Sequence, residues 1–467
     1  MLARLWNEFT YKGHQVSGVE WMLAQEDDSF LRGGFLCDEM GLGKTIEVLG
    51  VIKNSTAKRT LLVAPLAVLK QWEETARKSK INCWIPNRKT WNWVPAGKLY
   101  VGQPSIYITN YEALIRHTRL SDIYRWDRIV FDEAHRLINS SSKIHQSMRA
   151  IDAKIRWVIT ATPIVNDFSD VKSLFKIIGM HDDDVPHSRH AMEPIVKQKA
   201  LCRTVDELRE VMPELPKEEI THIHTLPFES NEERDFYRSI QGKLVERLHI
   251  LMEEGSDQWA ILKLLLLLRQ ISVHPQVYIN ARKRESKYYV RPDWKGDSTK
   301  FIALKNLIEN EANDKHRWII FSHFHDEMEL LAASLKELPR VRRVQIYSGK
   351  QTQEERDQIV QRSKEGLDEQ KNTEILIVQL QSGSVGLNLQ HFDRVAFLSP
   401  WWTAALMDQA VGRAVRIGQE NQVEVHHFRL EEEKSMNIDE MMIEKVEQKR
   451  EMCDWFLETA SRGLVEE

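Results

Sequence analysis

The chain has 467 residues, of which 42% are hydrophobic and 29% are charged, and its net charge at neutral pH is −4. This length suits two or three domains with sizeable cores, and the composition excludes a chain dominated by disorder. The four cysteines form no CxxC pair, so the sequence predicts neither a zinc site nor a disulfide scaffold. The most apolar run, residues 261–268, contains Lys263 and is too short to span a bilayer. We therefore expect a soluble, intracellular protein that does not contact membranes.

The charge is unevenly distributed along the chain. Residues 431–467 include 12 acidic and 5 basic side chains, a local charge of −7 that leaves +3 for the rest. A nearly neutral body does not exclude nucleic-acid binding, but it argues against a large basic sheath.

Short apolar runs alternate with helical patterns in the first part of the chain, with a predicted helix at residues 68–80. This alternation predicts a parallel sheet with helices on both faces. The predicted strands there are residues 60–64, 105–109, 128–131 and 156–160. The same alternation returns later in the chain, with apolar runs at residues 317–321, 375–380, 394–398 and 423–428.

We therefore expect an α/β protein with parallel-sheet domains at residues 1–180 and 299–430. The segment between them, 181–298, has a mainly helical pattern apart from a strand-like stretch at 220–226, and Pro213 and Pro216 mark a crossing between domains. Residues 431–467 are predicted to form an acidic amphipathic helix that packs on the second domain. Its apolar stripe consists of Met442, Val446, Cys453 and Phe456.

A glycine-rich segment is the strongest local signal. Residues 34–45 read GFLCDEMGLGKT, after an apolar stretch and before a helical one. Such a loop turns backbone N–H groups and a helix N-terminus toward a phosphate. Lys44 would then reach the β- and γ-phosphates of ATP, and the Thr45 hydroxyl would bind Mg²⁺. The alternative, a glycine-rich turn with a chance lysine, is the weaker interpretation.

Two carboxylates end the apolar run of residues 128–131. Asp132 can hold Mg²⁺, and Glu133 can orient and deprotonate an attacking water. An acidic turn at a strand end is common, but beside a phosphate loop the pair favours ATP hydrolysis.

A basic pair lies in the second α/β block, where residues 409–419 read QAVGRAVRIGQ. Arg413 and Arg416 are three residues apart on a presumed helix and would share one face. They are candidate arginine fingers for the γ-phosphate, although a solvated basic face is the more common meaning of such a pair.

These motifs, in this order, resemble the SWI/SNF-type ATPases of the second helicase superfamily. The resemblance covers most of the chain. Its first half comprises YKGHQ at 11–15, DEMGLGKT at 38–45, LVAP at 62–65, ITNYE at 108–112, DEAH at 132–135 and TATP at 160–163. Its second half comprises LLRQ at 267–270 with HP at 274–275, IIFS at 319–322, YSG at 347–349, GSVGLNL at 383–389 and PWW at 400–402.

The resemblance implies two RecA-like lobes that use ATP and Mg²⁺ to move along double-stranded DNA, with nucleosomes or other DNA-bound proteins as further partners. It implies a location in the nucleus, or wherever the DNA of a virus or microbe lies. The ATP-binding residues it implies are Gln15, Asp38, Glu39, Met40, Gly41, Leu42, Gly43, Lys44, Thr45, Gly386 and Gln409. The DNA-contacting positions it implies are Pro65, Asn110, Ser322, Gly349, Ser382 and Trp402.

The chain departs from the family pattern without losing any phosphate, metal or arginine-finger group. The departures are Gly13, Ser384, Thr403 with Ala404, Gly412 and Val415.

Two rival functions stay open from the sequence. One is a helicase that separates strands of DNA or RNA. The other is an ATP-gated nucleic-acid-binding scaffold with little turnover, which the intact Lys44, Asp132, Glu133, Arg413 and Arg416 disfavour.

Overall fold

The computed structural model describes residues 2–209, 212, 215–253, 258–311, 315–367, 372–380, 387, 389–416, 418–431 and 437–462. The chain divides into two compact units: Met1–Pro213 together with Gln448–Glu467, and Glu214–Glu447. Each unit contains its own parallel sheet with helices around it, which confirms the predicted α/β class with two parallel-sheet domains.

The first unit is built on an eight-stranded sheet in the described part of the chain, with the strand order β4-β3-β5-β2-β6-β7-β1-β8. All its pairs are parallel except the edge pair of β3 and β4. Its strands are β1 (Gly33–Leu36), β2 (Arg59–Val63), β3 (Asn82–Pro86), β4 (Trp93–Pro95), β5 (Ser105–Thr109), β6 (Trp126–Asp132), β7 (Ala153–Ile159) and β8 (Ala200–Leu201).

Helices cover both faces of this sheet, and one apolar core lies on each face. Burial on both sides explains why the central strands are continuous apolar runs. The helices are α1 (Gly13–Glu26), α2 (Lys44–Asn54), α3 (Leu69–Lys78), α4 (Tyr111–Arg116), α5 (Arg119–Asp122), α6 (Lys143–Arg149), α7 (Phe168–Ile177), α8 (Arg189–Lys199) and α9 (Val205–Arg209).

The second unit contains a six-stranded sheet, again counted over the described residues, and every pair in it is parallel. The strand order is β11-β12-β10-β13-β14-β9. The strands are β9 (Ile220–Leu226), β10 (His316–Ser322), β11 (Val341–Tyr347), β12 (Thr373–Gln379), β13 (Arg394–Phe397) and β14 (Glu424–Leu430).

The helices of the second unit pack on both faces of its sheet, and separate cores form there. Among the described residues of either unit, no helix combines the length and apolar character needed to cross a bilayer. The helices are α10 (Asn231–Glu253), α11 (Gln258–Val273), α12 (Pro275–Glu285), α13 (Thr299–Asn310), α14 (His325–Leu335), α15 (Gln353–Arg362), α16 (Ala404–Val411) and the beginning of α17 (Ile438–Arg462).

The boundaries of the units differ from the expected ones. Residues 181–298 do not form a separate middle region, because the division falls between residues 213 and 214, at the crossing that the prolines predict. Before the division, β8 pairs with β1 and completes the first sheet. After it, β9 pairs with β14 over seven residues and becomes an edge of the second sheet.

The expected docking of the C-terminal helix is wrong for its second half. Ile438 and Met442, in the first turns of α17, pack with Leu268 in the second unit. Residues from Gln448 onward belong to the first unit instead, where Phe456 is fully buried with Phe35. Their ring centroids lie 5.9 Å apart. The beginning of the apolar stripe therefore packs in the second unit and its end packs in the first, because the two halves of one helix have different partners.

Candidate active site

The glycine-rich loop connects β1 to α2. Gly41 and Gly43 have φ angles of +93° and +94°, in the left-handed region that glycine adopts without strain. Gly43 is the residue before α2 and has no side chain to cap its first N–H groups. The Lys44 ammonium donates to the carbonyl oxygens of Asp38 at 2.6 Å and Glu39 at 3.2 Å. The lysine is thus folded over the loop, with its charge at the loop's concave side.

The first turn of α1 supports this loop. Gln15 Nε2 donates to the Leu42 carbonyl oxygen at 3.3 Å, and a ring nitrogen of His14 lies 2.8 Å from the same oxygen. A Cβ at Gly43 would lie 2.6 Å from Gln15 Nε2, the movable end of that side chain, so the φ of +94° is the stronger reason for glycine here. Gln15 therefore lies beside the phosphate loop, and its part in reading adenine stays a prediction.

A buried ionic cluster behind the loop could not be foreseen. Arg203, just after β8, donates through Nη2 to Asp38 and, at 2.5 Å, to Glu47 Oε1 of α2. Its Nη1 donates to the His14 carbonyl oxygen. Asp38 and Glu47 have no exposed surface. Asp38 was predicted to bind ATP, but its carboxylate is occupied by Arg203, so any contact of Asp38 with nucleotide would use its backbone.

Backbone contacts join the same segment to the loop. The amide N–H of Cys37 donates to the Leu201 carbonyl oxygen at 2.7 Å, and that of Glu39 donates to the Arg203 carbonyl oxygen at 2.9 Å. The Glu39 carboxylate accepts from the Val205 N–H at 2.6 Å. Residues 201–205 therefore hold one side of the phosphate loop in place.

The acidic pair lies at the end of β6. Asp132 Oδ2 accepts from Trp72 Nε1 at 2.7 Å, and Tyr111 donates its hydroxyl to the Asp132 carbonyl oxygen at 2.6 Å. Glu133 has a φ of +51°, which turns the chain sharply after the strand. Its carboxylate lies 3.4 Å from His135 Nδ1. Trp72 was not predicted, because nothing in sequence links it to a carboxylate 60 residues away.

The pKa of Asp132 indicates that the phosphate loop and the acidic pair belong to one site. Burial, followed by the neighbouring Glu133 carboxylate, raises the pKa of Asp132 to about 6. The hydrogen bond from Trp72 and the charge of Lys44 act in the opposite direction on that pKa. Lys44 of the loop is thus close enough to Asp132 to affect its titration, as a shared site requires.

The segment after β7 lies between the strands that carry the two motifs, since β7 pairs with both β1 and β6. Thr160 and Thr162 are buried, and the Thr162 N–H donates to Thr160 Oγ1 at 3.1 Å. Thr162 Oγ1 is buried with no hydrogen-bond partner among the described residues.

The residues present fit a Mg²⁺-bound triphosphate. The first N–H groups of α2 have no side-chain cap and are available to a phosphate. A phosphate can also replace the Asp38 carbonyl oxygen as the acceptor for the Lys44 ammonium. Met40, Gly41 and Thr45 are partly accessible, whereas Leu42 is buried. The side chains that would hold Mg²⁺ are Thr45 and Asp132.

The arginine pair differs from its prediction. Helix α16 ends at Val411, so Arg413 and Arg416 do not share a helical face. Gly412 is a weak helix former, and the chain continues through turns. Arg413 is 3% exposed and Arg416 is half-buried, so Arg416 is the better candidate finger. Gln409 is buried on α16, and Gly386 lies outside the described residues.

The LLRQ motif has a clear structural role in the second unit. Arg269 is fully buried on α11, and its Nη2 donates to the Pro400 carbonyl oxygen at 3.1 Å. Its guanidinium lies over the rings of Trp401 and Trp402, at 4.9 and 5.5 Å from their centroids. The motif thereby fixes the PWW segment through cation–π contacts.

The predicted DNA-contacting positions follow parallel strands of each sheet, but several side chains are enclosed. Pro65 and Ser322 are buried, and Asn110 caps α4 by accepting from the Ala113 N–H. The Gly349 N–H donates to Gln379 Oε1. Trp402 packs under Arg269, and Ser382 lies outside the described residues. Direct side-chain contact of Pro65 or Ser322 with DNA is therefore not supported, because both are enclosed.

Two parallel-sheet units, a phosphate loop and an adjacent acidic pair define an ATP hydrolase of the helicase type. The SNF2-related domain model matches residues 14–277, and the helicase conserved C-terminal domain model matches residues 299–418. The chain belongs to the SNF2-related family. This membership confirms the predicted ATPase class and the predicted resemblance.

Individual relatives are similar over nearly the whole chain. The "Probable global transactivator" of Orgyia pseudotsugata multicapsid polyhedrosis virus is 26% identical, over 91% of this chain and 87% of the relative. The "Putative ATP-dependent helicase/translocase YwqA" of Bacillus subtilis is 26% identical, over 89% of this chain and 46% of the relative. The "ISWI chromatin-remodeling complex ATPase ISW2" of Saccharomyces cerevisiae is 25% identical, over 94% and 40% respectively. The chain thus spans less than half the length of the two cellular relatives.

Among solved structures, the chain is similar to the Sulfolobus solfataricus SWI2/SNF2 ATPase core in complex with dsDNA. The sequence identity is 25% and the TM-score is 0.40, with 99% of this chain and 96% of the other covered.

Proposed function

We propose that this protein couples ATP hydrolysis to translocation along double-stranded DNA and thereby remodels DNA–protein complexes, including nucleosomes where they are present. Its relatives include a putative helicase/translocase and a chromatin-remodeling complex ATPase, which supports both parts of the proposal.

The observation that carries the proposal is the intact hydrolysis site of the first unit. Lys44 would contact the β- and γ-phosphates, and Glu133 would orient and deprotonate the attacking water. Mg²⁺, held by Thr45 and Asp132, would neutralise charge on the phosphates. Arg416 is proposed as the arginine finger, with Arg413 in a buried supporting role.

A DNA track is proposed at the loops that follow parallel strands. In the first unit, Val63 of β2 pairs with Thr109 of β5, so the loops at Pro65 and Asn110 leave the same sheet edge. In the second unit, β10, β12 and β11 are neighbours, which places the loops after them together. Because Pro65 and Ser322 are buried, backbone N–H groups and exposed neighbours such as Lys70 and Lys350 would contact phosphates.

The test is the ATPase rate of the purified protein with no polymer, duplex DNA, single-stranded DNA and RNA. We expect duplex DNA to stimulate strongly and the others much less. Glu133→Gln should keep ATP binding and lower turnover by about 10²-fold or more, since it removes only the water-activating carboxylate. Glu74→Gln, an exposed glutamate on α3, is the matched control and should hydrolyse ATP at the parent rate.

Two further assays separate the rivals. Displacement of a third strand from a DNA triplex reports translocation, whereas release of a strand from a forked duplex reports strand separation. Equal stimulation by single-stranded RNA, or strand release without triplex displacement, would contradict the translocase. An ATPase rate no higher than that of Glu133→Gln with every polymer would favour the scaffold.

A further inference from the structure

A histidine-rich patch lies at one edge of the second sheet. It consists of His222 and His224 on β9 with Glu424 and His426 on β14. His222 is the register partner of His426, and alternate residues of a strand point to the same face. The four side chains therefore share one face of a parallel strand pair.

Three of these side chains are close enough to share one ion. His222 Nε2 lies 2.9 Å from Glu424 Oε2. One ligand atom from each of His222, Glu424 and His426 lies within 4.8 Å of the other two. The imidazoles of His222 and His426 are stacked, with centroids 4.8 Å apart and planes 12° apart.

His426 has a nitrogen available for a ligand. Its Nδ1 lies 3.1 Å from His224 Nε2, while its Nε2 is buried with no hydrogen-bond partner among the described residues. A buried nitrogen without a partner is costly unless something binds it. If His426 Nδ1 carries the proton and donates to His224, its Nε2 presents a lone pair. This is the second-sphere arrangement of metal-bound histidines.

We propose that His222, Glu424 and His426 form a binding site for a divalent transition-metal ion, with Zn²⁺ as the best match, and that His224 orients His426. Two imidazoles and one carboxylate are a ligand set typical of Zn²⁺ with an open fourth position. Ligand atoms arranged tetrahedrally around Zn²⁺ are about 3.3 Å apart, so the three ligand atoms must move closer together when the ion binds. The His222 side chain is 40% exposed, which leaves it room to rotate.

The remaining contact of Glu424 is compatible with this role. Its Oε1 forms an ion pair with Arg394, 3.1 Å from Nη2, and Arg394 also pairs through Nε with Glu311 at 2.8 Å. Arg394 therefore holds one oxygen of Glu424 and leaves Oε2 directed at His222. The absence of a CxxC pair, on which the prediction of no zinc rests, does not bear on a site built from histidine and glutamate.

A bound ion would link β9 to β14. β9 is the edge strand that follows the crossing from the first unit, and β14 precedes α17. The ligands are about 200 residues apart in sequence. The ion would thus close a long loop and stabilise the second unit by mass action.

The experiment is a calorimetric titration of chelator-treated, full-length protein with Zn²⁺, without nucleotide or DNA, so its outcome does not depend on the proposed function. We expect one ion per chain at micromolar affinity or tighter, and a rise in Tm. Co²⁺ in place of Zn²⁺ should give the visible absorption of a tetrahedral ion.

Substitutions at the proposed ligands and at His224 test where the ion binds. His222→Gln, on a partly exposed side chain, and Glu424→Gln should weaken binding at least tenfold, and His224→Gln should weaken it by roughly 10- to 100-fold. The matched control is His427→Gln, because His427 stacks on Phe397 on the opposite face of β14 and should not change the affinity. No Zn²⁺ binding, or binding unchanged in His222→Gln and Glu424→Gln, would overturn the proposal.

Discussion

The surroundings of Asp132 alter its titration. Its pKa is raised from 3.8 to about 6, first by burial and then by Glu133. Between these two values the folded protein binds more protons at Asp132 than the unfolded chain does. The protonated group therefore contributes stability that is fully present below pH 3.8 and is lost as the pH rises through about 6.

We accordingly predict that Asp132→Asn stabilises the metal-free protein at pH 8 by about 1–2 kcal/mol, because it removes a poorly solvated charge. The gain should shrink as the pH falls from 6 toward 4. Urea denaturation in EDTA across this range measures it, with the exposed Asp183→Asn as control. Added Mg²⁺ should stabilise the parent above pH 6 and leave the variant unchanged. A destabilised variant at pH 8 would contradict this account of the site.

Arg203 is a positioning residue for the phosphate loop, since it acts through Asp38 and Glu47. In Arg203→Lys one ammonium replaces a guanidinium that contacts both carboxylates and the His14 carbonyl oxygen. The loop should then lose its defined shape. We predict a KM for ATP raised roughly tenfold with kcat within about twofold, because a distorted loop weakens ground-state and transition-state binding alike.

The matched control for Arg203 is Arg128→Lys. Arg128 is also buried and pairs with Glu26, at the opposite end of α1 from His14 and Gln15. Both variants should lose stability, by up to about 3–5 kcal/mol if the pair is fully broken. Only Arg203→Lys should change KM. Equal KM values in the two variants would reduce Arg203 to a purely structural role.

At the residue scale, the sequence could predict functional side chains whose role is indicated by residues next to them in the chain. Lys44 and Thr45 are specified by the loop that contains them, and Asp132 and Glu133 by the end of their strand. Arg203 could not be predicted, because Asp38 lies 165 residues away and only the pairing of β8 with β1 brings them together.

At the scale of elements, whether a strand could be predicted from the sequence depended on its length and burial. Long strands enclosed on both faces, such as β6 and β10, stand out as apolar runs. The two-residue β8 and the half-exposed edge pair β3 and β4 carry no such signal. The arginine segment was misassigned as helix, because its i, i+3 spacing is also satisfied by successive turns.

Helix α17 allows a sharp test of how each unit is stabilised. Phe456 is fully buried with Phe35, so Phe456→Ala should cost the first unit about 3–5 kcal/mol. Met442→Ala, on the same helix, should affect the second unit instead. Amide hydrogen exchange resolves the two, because protection is lost only in the unit that is destabilised. Loss of protection in the second unit on Phe456→Ala would contradict the division of α17.

At the scale of the whole molecule, charge limits how DNA is bound. Apart from residues 431–467 the chain carries only +3. A track with few cations neutralises few phosphates, so we predict a slope of about −3 to −4.5 for log affinity against log salt. Affinity for duplex DNA measured between 50 and 200 mM KCl should then fall about 60- to 500-fold. A slope of roughly −8 or steeper would indicate an extended basic surface that the composition does not suggest.

The first unit is discontinuous in sequence, and this affects how the protein is made. A ribosome completes the entire second unit, residues 214–447, before it adds the residues that finish the first. At ordinary rates of translation that interval is roughly 10–50 s. Throughout it, the nascent first unit lacks Phe456, and the apolar slot beside Phe35 and Phe175 stays open. Although its strands are synthesised first, the ATP-binding unit is therefore the last to complete its core.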